Sequence, residues 1–142
     1  MTVEIRLATA NDAEELSILN QEFNGGARRP ILKISESLMK NSELVAVAVR
    51  NNRLVGFACA QISTSFCYED LFGEITEMYV KEIARHKGIA TSLLEFLEKR
   101  LCAHGVKEIK ILTGAKNVGA IRTYTKSNYI TQDEVVFLKA ID

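Results

Sequence analysis

The chain has 142 residues, the size of one domain, so a hydrophobic core can hold it folded without a metal ion or a disulfide. Its 18 basic and 18 acidic side chains cancel. A zero net charge argues against a general nucleic-acid binder, because phosphate neutralisation supplies most of the affinity of such proteins. We therefore expect a single globular domain over residues 1–142 with no nucleic-acid partner.

The cysteines and the hydropathy pattern indicate the compartment. Cys59, Cys67 and Cys102 form no C-x-x-C pair, which excludes zinc ribbons and thioredoxin-like motifs and favours reduced thiols. The N-terminus lacks the basic start and apolar run of a signal peptide, and no apolar stretch approaches the ~20 residues of a membrane span. We expect a cytoplasmic protein with no membrane partner.

Hydrophobic periodicity gives the elements in chain order. Alternating or continuous apolar runs predict strands over residues 3–7, 44–49, 54–62, 73–80, 106–112 and 135–141. Helical spacing predicts four helices, over residues 11–23 (capped by Asn11), 32–40, 88–104 (stopped by Gly105) and 117–127 (capped by Asn117). The order is β-α-α-β-β-β-α-β-α-β, with room for one more short strand near Tyr129 and Ile130. This order predicts a mixed α+β fold with a mostly antiparallel sheet flanked by helices.

The segment Arg85-His86-Lys87-Gly88-Ile89-Ala90 joins a predicted strand to the strongest predicted helix. A helix start has free N–H groups and a dipole that favours an anion, and Gly88 leaves the backbone accessible. Three basic side chains precede Gly88 in an otherwise neutral protein. These features predict a phosphate-binding loop, with an ordinary basic turn as the alternative. The segment lacks the Walker and dinucleotide glycine patterns, so the anion belongs to another kind of ligand.

Two motifs resemble those of the GNAT superfamily of N-acetyltransferases. Arg85-x-x-Gly88-x-Ala90 is similar to its acetyl-CoA signature, with Ala90 in place of the commoner glycine. The segment from Asn117 to Tyr129 is similar to its C-terminal motif N-x-x-A-x-x-x-Y-x-K-x-G-F, with Asn128-Tyr129 in place of Gly-Phe. Asparagine tolerates positive φ better than other non-glycine residues, so we expect the turn to survive. The resemblance spans nearly the whole chain and implies a GNAT-like fold.

The resemblance implies acetyl-CoA as co-substrate and transfer of its acetyl group to a primary amine by direct attack in a ternary complex. The alternative is a non-catalytic CoA-binding sensor or interaction domain of the same fold. The backbone of the 85–90 loop would hold the pyrophosphate, the strand ending at Val80 would pair with the pantetheine arm, and the sheet would splay apart beside it. The implied cofactor-binding residues are Met78, Tyr79, Val80, Arg85, His86, Lys87, Gly88, Ile89, Ala90, Asn117 and Tyr124.

The implied catalytic residues are Tyr124, facing the sulfur of acetyl-CoA, and Glu74, as a general base. An amine attacks only when neutral, and deprotonating a lysine-like amine at pH 7 costs about 4.6 kcal/mol, so a base is useful. Regular alternation places Glu74, Thr76 and Met78 on one strand face and Glu77 on the other. Glu77 and a water held by Thr76 remain alternatives to Glu74.

The remaining polar features suggest little else. The two histidines have no ligand partners at useful spacing, so we predict no metal site. Arg28 and Arg29, between the first two helices, could hold a substrate carboxylate, although a solvated basic loop explains them equally well. The acceptor is a small-molecule or peptide amine, and a homodimer is compatible with the sequence.

Overall fold

The computed structural model describes residues 2–40 and 42–142, and the chain forms two compact units that divide after Leu112. The first unit contains β1 (Glu4–Leu7), α1 (Ala13–Asn24), α2 (Ile31–Met39), β2 (Leu44–Arg50), β3 (Arg53–Ser63), β4 (Leu71–Val80), α3 (Ile89–Ala103) and β5 (Val106–Ile111). The second unit contains α4 (Val118–Lys126). Short 3-10 turns at Ala10–Asp12 and Glu82–Ala84 precede α1 and α3.

The five strands form one sheet in the order β1-β2-β3-β4-β5. The first four strands are antiparallel neighbours, and β5 pairs with β4 in parallel. The tight β2–β3 turn is made possible by Asn51 and Asn52, both at positive φ. The mixed, mostly antiparallel sheet flanked by helices confirms the predicted fold class.

One face of the sheet is covered by α3. Because side chains alternate along β2 and β3, the fully buried Ala46, Ala48, Ala58 and Ala60 share this face. These small side chains leave room for four leucines of α3 that are also fully buried: Leu93, Leu94, Leu97 and Leu101. Gly105 ends this helix at φ +95°, the left-handed geometry that the sequence predicts for it.

The other face of the sheet is covered by α1 and α2. Val47 and Phe57 pack there with Leu16 and Leu19 of α1 and Ile34 of α2. The start of α1 differs from the prediction, because Asp12 and not Asn11 organises it. The Asp12 carboxylate accepts the Thr9 N–H at 2.7 Å and a two-pronged contact from Arg6 at 2.8 and 3.0 Å. Asn11 is exposed and makes no such contact.

The second unit contains no strand, so the predicted strands over residues 135–141 and near Tyr129 and Ile130 are wrong. An apolar alternation shows which side chains a strand would bury, but a strand also needs a neighbouring edge for its backbone hydrogen bonds. Residues 128–142 have no such pairing, and Phe137 and Leu138 are more than nine-tenths exposed. Of the helices described, none is long and apolar enough to cross a membrane.

Candidate active site

β4 continues beyond the end of β5, and the segment of β4 without β5 beside it is here called the opening of the sheet. The two strands pair from Leu71 to Ile75 on β4, and the last pair joins Ile75 to Ile111. Beyond it, residues 77–80 of β4 pair with β3 on one side and with no strand among the described residues on the other. The backbone along this edge is therefore available to an extended ligand, in the way that an added strand binds a sheet edge.

The opening begins at a β-bulge. Cys59 pairs with Glu77 and Ala60 pairs with Ile75, so Thr76 is an extra residue on β4. Its hydroxyl lies 3.4 Å from the Cys59 carbonyl oxygen, to which it donates. A bulge bends its strand, so β4 changes course directly after its last pair with β5, which ends at Ile111.

The bulge overturns the predicted alternation along β4. Glu74 pairs with Gln61, and Glu77 pairs with Cys59 two residues away on β3. Partners across an antiparallel pair share a face, so Glu74 and Glu77 lie together on the face covered by α1 and α2. Glu74 still has β5 beside it, in register with Lys110, whereas Glu77 lies at the opening itself.

The predicted phosphate loop begins α3 as expected. Gly88 is the N-cap at φ +79°, and a Cβ built on it would meet nothing within 4 Å. His86, Lys87 and Gly88 are exposed, while Ile89 is buried and anchors the first turn. An α-helix leaves its first four N–H groups without intrahelical partners, so this turn offers a row of donors to an anion. His86 also has positive φ, at 63°, a geometry the sequence did not indicate.

The side chain of Arg85 points back along the chain. Its Nε donates to the Val80 carbonyl oxygen at 2.8 Å, and its guanidinium lies 5.6 Å from the centre of the Tyr79 ring. The Tyr79 hydroxyl donates to Glu22 of α1 at 2.9 Å, and Lys81 pairs with the same carboxylate at 3.7 Å. Burial, followed by the contact with Glu22, raises the pKa of Tyr79. These contacts connect the end of β4 to α1.

A small cleft of about 110 Å³ lies between α1, α2 and the sheet. Its lining includes Leu16, Leu38, Glu43 and Cys59. One carboxylate oxygen of Glu43, the sulfur of Cys59 and one carboxylate oxygen of Glu77 all lie within 4.8 Å of one another. Burial and then the charge of Glu77 raise the pKa of Glu43, against a hydrogen bond from Gln61. The pKa of the Cys59 thiol is also raised, chiefly by burial.

These three groups belong to the residue types that ligate metals, a cluster that the prediction of no metal site did not foresee. Sequence reasoning also missed Glu43 and Glu22 as functional candidates. To place Glu43 beside Glu77 one needs the register of β2 on β3 and that of β3 on β4. Each contains an irregularity that the sequence does not show, so no signal brought the two residues together. For Glu22 the only signal in the sequence is Tyr79 on β4, because a half-buried tyrosine hydroxyl generally finds a hydrogen-bond acceptor.

In the second unit, α4 has the predicted cap and turn. The Asn117 side chain accepts the Ala120 N–H at 3.1 Å. Asn128 has φ +72°, and the N–H of Tyr129 donates to the Tyr124 carbonyl oxygen at 3.0 Å. The substituted Asn128-Tyr129 therefore forms the expected turn. Tyr124 packs edge-on against Tyr129, with ring centres 6.3 Å apart, and burial raises its pKa.

The sequence of this chain is similar to those of known acetyltransferases. A model of the Acetyltransferase (GNAT) family matches residues 12–129. A protein of Yersinia pestis (strain Pestoides F) named acetyltransferase is 29% identical over 98% of this chain and 96% of its own length. An acetyltransferase of Pectobacterium atrosepticum is 30% identical over 79% of this chain and 75% of its own length. The similarity therefore extends across nearly the whole sequence.

Solved structures share the fold. An aminoglycoside acetyltransferase from an uncultured soil metagenomic sample, in complex with sisomicin, has a TM-score of 0.85 at 17% identity, covering 98% of this chain and 95% of that one. A ribosomal-protein-alanine N-acetyltransferase from Brucella melitensis biovar Abortus 2308 has a TM-score of 0.84 at 19% identity, covering 99% and 100%. At these identities the likeness concerns the fold alone.

Proposed function

Since the chain belongs to the GNAT family of acetyltransferases, we propose that it transfers the acetyl group of acetyl-CoA to a primary amine by direct attack in a ternary complex. The family and its relatives make it an N-acetyltransferase. The observation that carries the finer proposal is the opening of the sheet beyond Ile75, at the strand that leads into the Gly88 turn. The edge of β4, which can bind an extended arm, is followed in the chain by the start of α3, which can bind an anion.

The residues present fit acetyl-CoA. The open space at Gly88 accommodates a pyrophosphate against the free N–H groups of α3, with His86 and Lys87 adding positive charge nearby. The pantetheine arm would lie along Met78, Tyr79 and Val80. The Val80 carbonyl oxygen already accepts from Arg85, and its second lone pair can accept from the arm.

The chemistry needs an amine without its proton. Acetyl-CoA supplies an activated thioester; a C–N bond forms at its carbonyl carbon, the C–S bond breaks, and the sulfur leaves as a thiolate. The amine loses one proton to reach its neutral form and another as the amide forms. Glu74 is proposed as the base, acting directly or through water, with Glu77 and water held by Thr76 as the alternatives at the opening.

Tyr124 is proposed to face the departing sulfur, with Asn117 at the start of the same helix near the thioester. The raised pKa of Tyr124 makes full proton donation less favourable, because an unshifted tyrosine is already a weaker acid than a thiol. We therefore assign its hydroxyl a hydrogen bond that strengthens as charge develops on sulfur. The proton that finally resides on the thiol can come from the acceptor amine.

The match of one family model to residues 12–129 includes parts of both units and supports our proposal that residues 1–142 act as one domain. The proposed acceptor is a small-molecule or peptide amine, in keeping with the aminoglycoside and alanine named for the two structural neighbours. A cytoplasmic location and a homodimer remain proposals from the sequence.

The Gly88 turn provides the test. Gly88→Glu puts a negative side chain where the pyrophosphate would lie, so we expect acetyl-CoA affinity in calorimetry to fall at least a hundredfold. Gly105→Glu is the matched control, since Gly105 also has positive φ and lies at the opposite end of the same helix. Unchanged affinity in a folded Gly88→Glu protein contradicts the proposed site. Tight acetyl-CoA binding without CoA release on a broad amine panel would favour a non-catalytic CoA-binding domain.

A further inference from the structure

Two carboxylates meet in the first unit without a cation between them. Glu43 precedes β2 and Glu77 lies on β4, and carboxylate oxygens of the two lie within 4.8 Å of each other. Neither carboxylate has a lysine or arginine within 4.0 Å among residues 2–40 and 42–142. Arg29 lines the same cleft, but it forms no ion pair there with Glu43. Like charges brought together in this way raise the energy of the empty site and favour a positively charged occupant.

Cys59 is the second observation at this place. Its side chain is nine-tenths buried, lines the cleft and brings its sulfur within 4.8 Å of both carboxylates. No hydrogen bond to that sulfur is found within the described part of the chain. The thiol is buried, Glu43 is half-buried and Glu77 is exposed. The site is therefore shielded from water on the side of Cys59 and Glu43, where attraction to a cation is stronger than at an open surface.

The walls of the cleft are mostly apolar. Leu16 of α1, Leu38 of α2 and Val45 of β2 line it together with Phe57 of β3. Such a lining suits methylene groups, while the carboxylates suit an ammonium group. Glu77 also belongs to the segment of β4 that borders the opening of the sheet. The acidic site therefore adjoins the edge at which the acetyl group is proposed to lie.

From this arrangement we infer that Glu43 and Glu77 bind a second, non-reacting ammonium group of the acceptor, so that the acceptors are aliphatic diamines or polyamines. The inference rests on the proposed function with Glu74, or a water held by Thr76, and not Glu77 as the base. The pair cannot serve the attacking amine well, because two nearby negative charges hold an ammonium group in its protonated form. The attacking nitrogen must lie farther along the same molecule, outside this acidic site.

Matched acceptors test the inference. 1,4-Diaminobutane and butylamine share a four-carbon chain and differ in the second amine, which is charged at neutral pH. We expect kcat/KM for the diamine to exceed that for butylamine at least tenfold. Glu43→Gln and Glu77→Gln should each bring this ratio close to one. The exposed Glu95→Gln on α3 removes a charge elsewhere and should keep the ratio. Using a ratio separates recognition from catalysis, since losing a general base slows both acceptors alike.

Other results overturn the inference. A ratio near one in the parent protein excludes diamine selectivity, and a high ratio that survives both glutamate substitutions locates the selectivity elsewhere. If no amine is acetylated, the proposed function fails. Calorimetry with 1,4-diaminobutane then tests, independently of activity, whether the two glutamates bind an ammonium group. Binding that disappears in Glu43→Gln and persists in Glu95→Gln supports the site, whereas equal binding rejects it. Tight Zn²⁺ binding that requires Glu77 and is not displaced by the diamine would identify a metal site instead.

Discussion

The two faces of the sheet differ in the side chains that they present. The face under α3 joins four alanines to four fully buried leucines. The face under α1 and α2 has aromatic and branched side chains, a cleft, and the carboxylates of Glu43, Glu74 and Glu77 toward one end. The first face has close apolar packing, and the second keeps charged groups partly away from water at an energetic cost. Stability therefore derives chiefly from the α3 face, and we expect selectivity to derive from the other.

A truncation on each face gives the largest expected difference. Leu97→Ala removes a fully buried side chain from α3 and should lower the free energy of unfolding by about 3–4 kcal/mol. Leu38→Ala, in the half-buried wall of the cleft, should cost about 1–2 kcal/mol, because water can fill the space left. Urea unfolding monitored by circular dichroism measures both. Equal losses would mean that the two faces do not differ as described.

The Asp12–Arg6 contact extends the comparison between the two faces. On the α1 side, the Asp12 carboxylate is a charged group with hydrogen bonds to both of its oxygens. Asp12→Asn should lower the free energy of unfolding by about 2 kcal/mol at pH 7, since it weakens hydrogen bonds to a buried carboxylate. The hydrogen bonds from Arg6 lower the pKa of Asp12 in the folded protein. Its contribution is therefore present above the unfolded pKa of about 3.9 and is lost as the pH falls through the lower folded value.

The measurement is the difference in unfolding free energy between parent and Asp12→Asn from pH 7 down to pH 2. The difference should be constant near neutrality and should shrink in acid. Asn11→Ala is the control, because the exposed Asn11 makes none of these contacts and should change stability little. A difference that is independent of pH would show that the charge of Asp12 contributes nothing.

Glu43 should show the opposite pH dependence with a smaller effect. Its folded pKa is raised, so its contribution favours the folded state below the unfolded pKa of about 4.3 and is lost as the pH rises through the folded value. Glu43→Gln removes this neutral-pH penalty and should stabilise the protein by roughly 0.5 kcal/mol at pH 7, with no gain at pH 4. Thermal melts at the two pH values compare the variant with the parent. Destabilisation at pH 7 would contradict the description of a carboxylate whose charge is disfavoured by burial and by Glu77.

The sequence predicted the elements whose causes are local. Asn117 caps its helix, Asn128 takes positive φ, Gly88 opens α3 and Gly105 ends it, each through conformational preferences of the residue itself. Helical spacing of apolar residues likewise predicted α3 itself. These features need no knowledge of the rest of the fold, which explains why the sequence predicted the local geometry of the loop that we propose binds acetyl-CoA.

The features that depend on distant neighbours could not be predicted. The bulge at Thr76 is set by the pairing of β3 with β4, and without it alternation separates Glu74 from Glu77. The same missing register hid Glu43. The apolar pattern of residues 135–141 predicted a strand, although pattern alone cannot supply the edge that a strand requires. For α1, Asn11 and Asp12 are both residue types that cap helices, and the contacts with Arg6 and with the Thr9 N–H select Asp12.

Because Thr76 is an extra residue in β4, a single-codon insertion or deletion in the gene could add or remove the bulge. Ile75 and Glu77 would take the same partners and the same faces if Thr76 were deleted, because it is surplus to the pairing. What the deletion removes is the bulge, and with it the bend of β4 directly after its last pair with β5. One inserted codon is thus enough to redirect a strand while its paired neighbours keep their partners and their faces. A single substitution cannot change the number of residues between two paired positions.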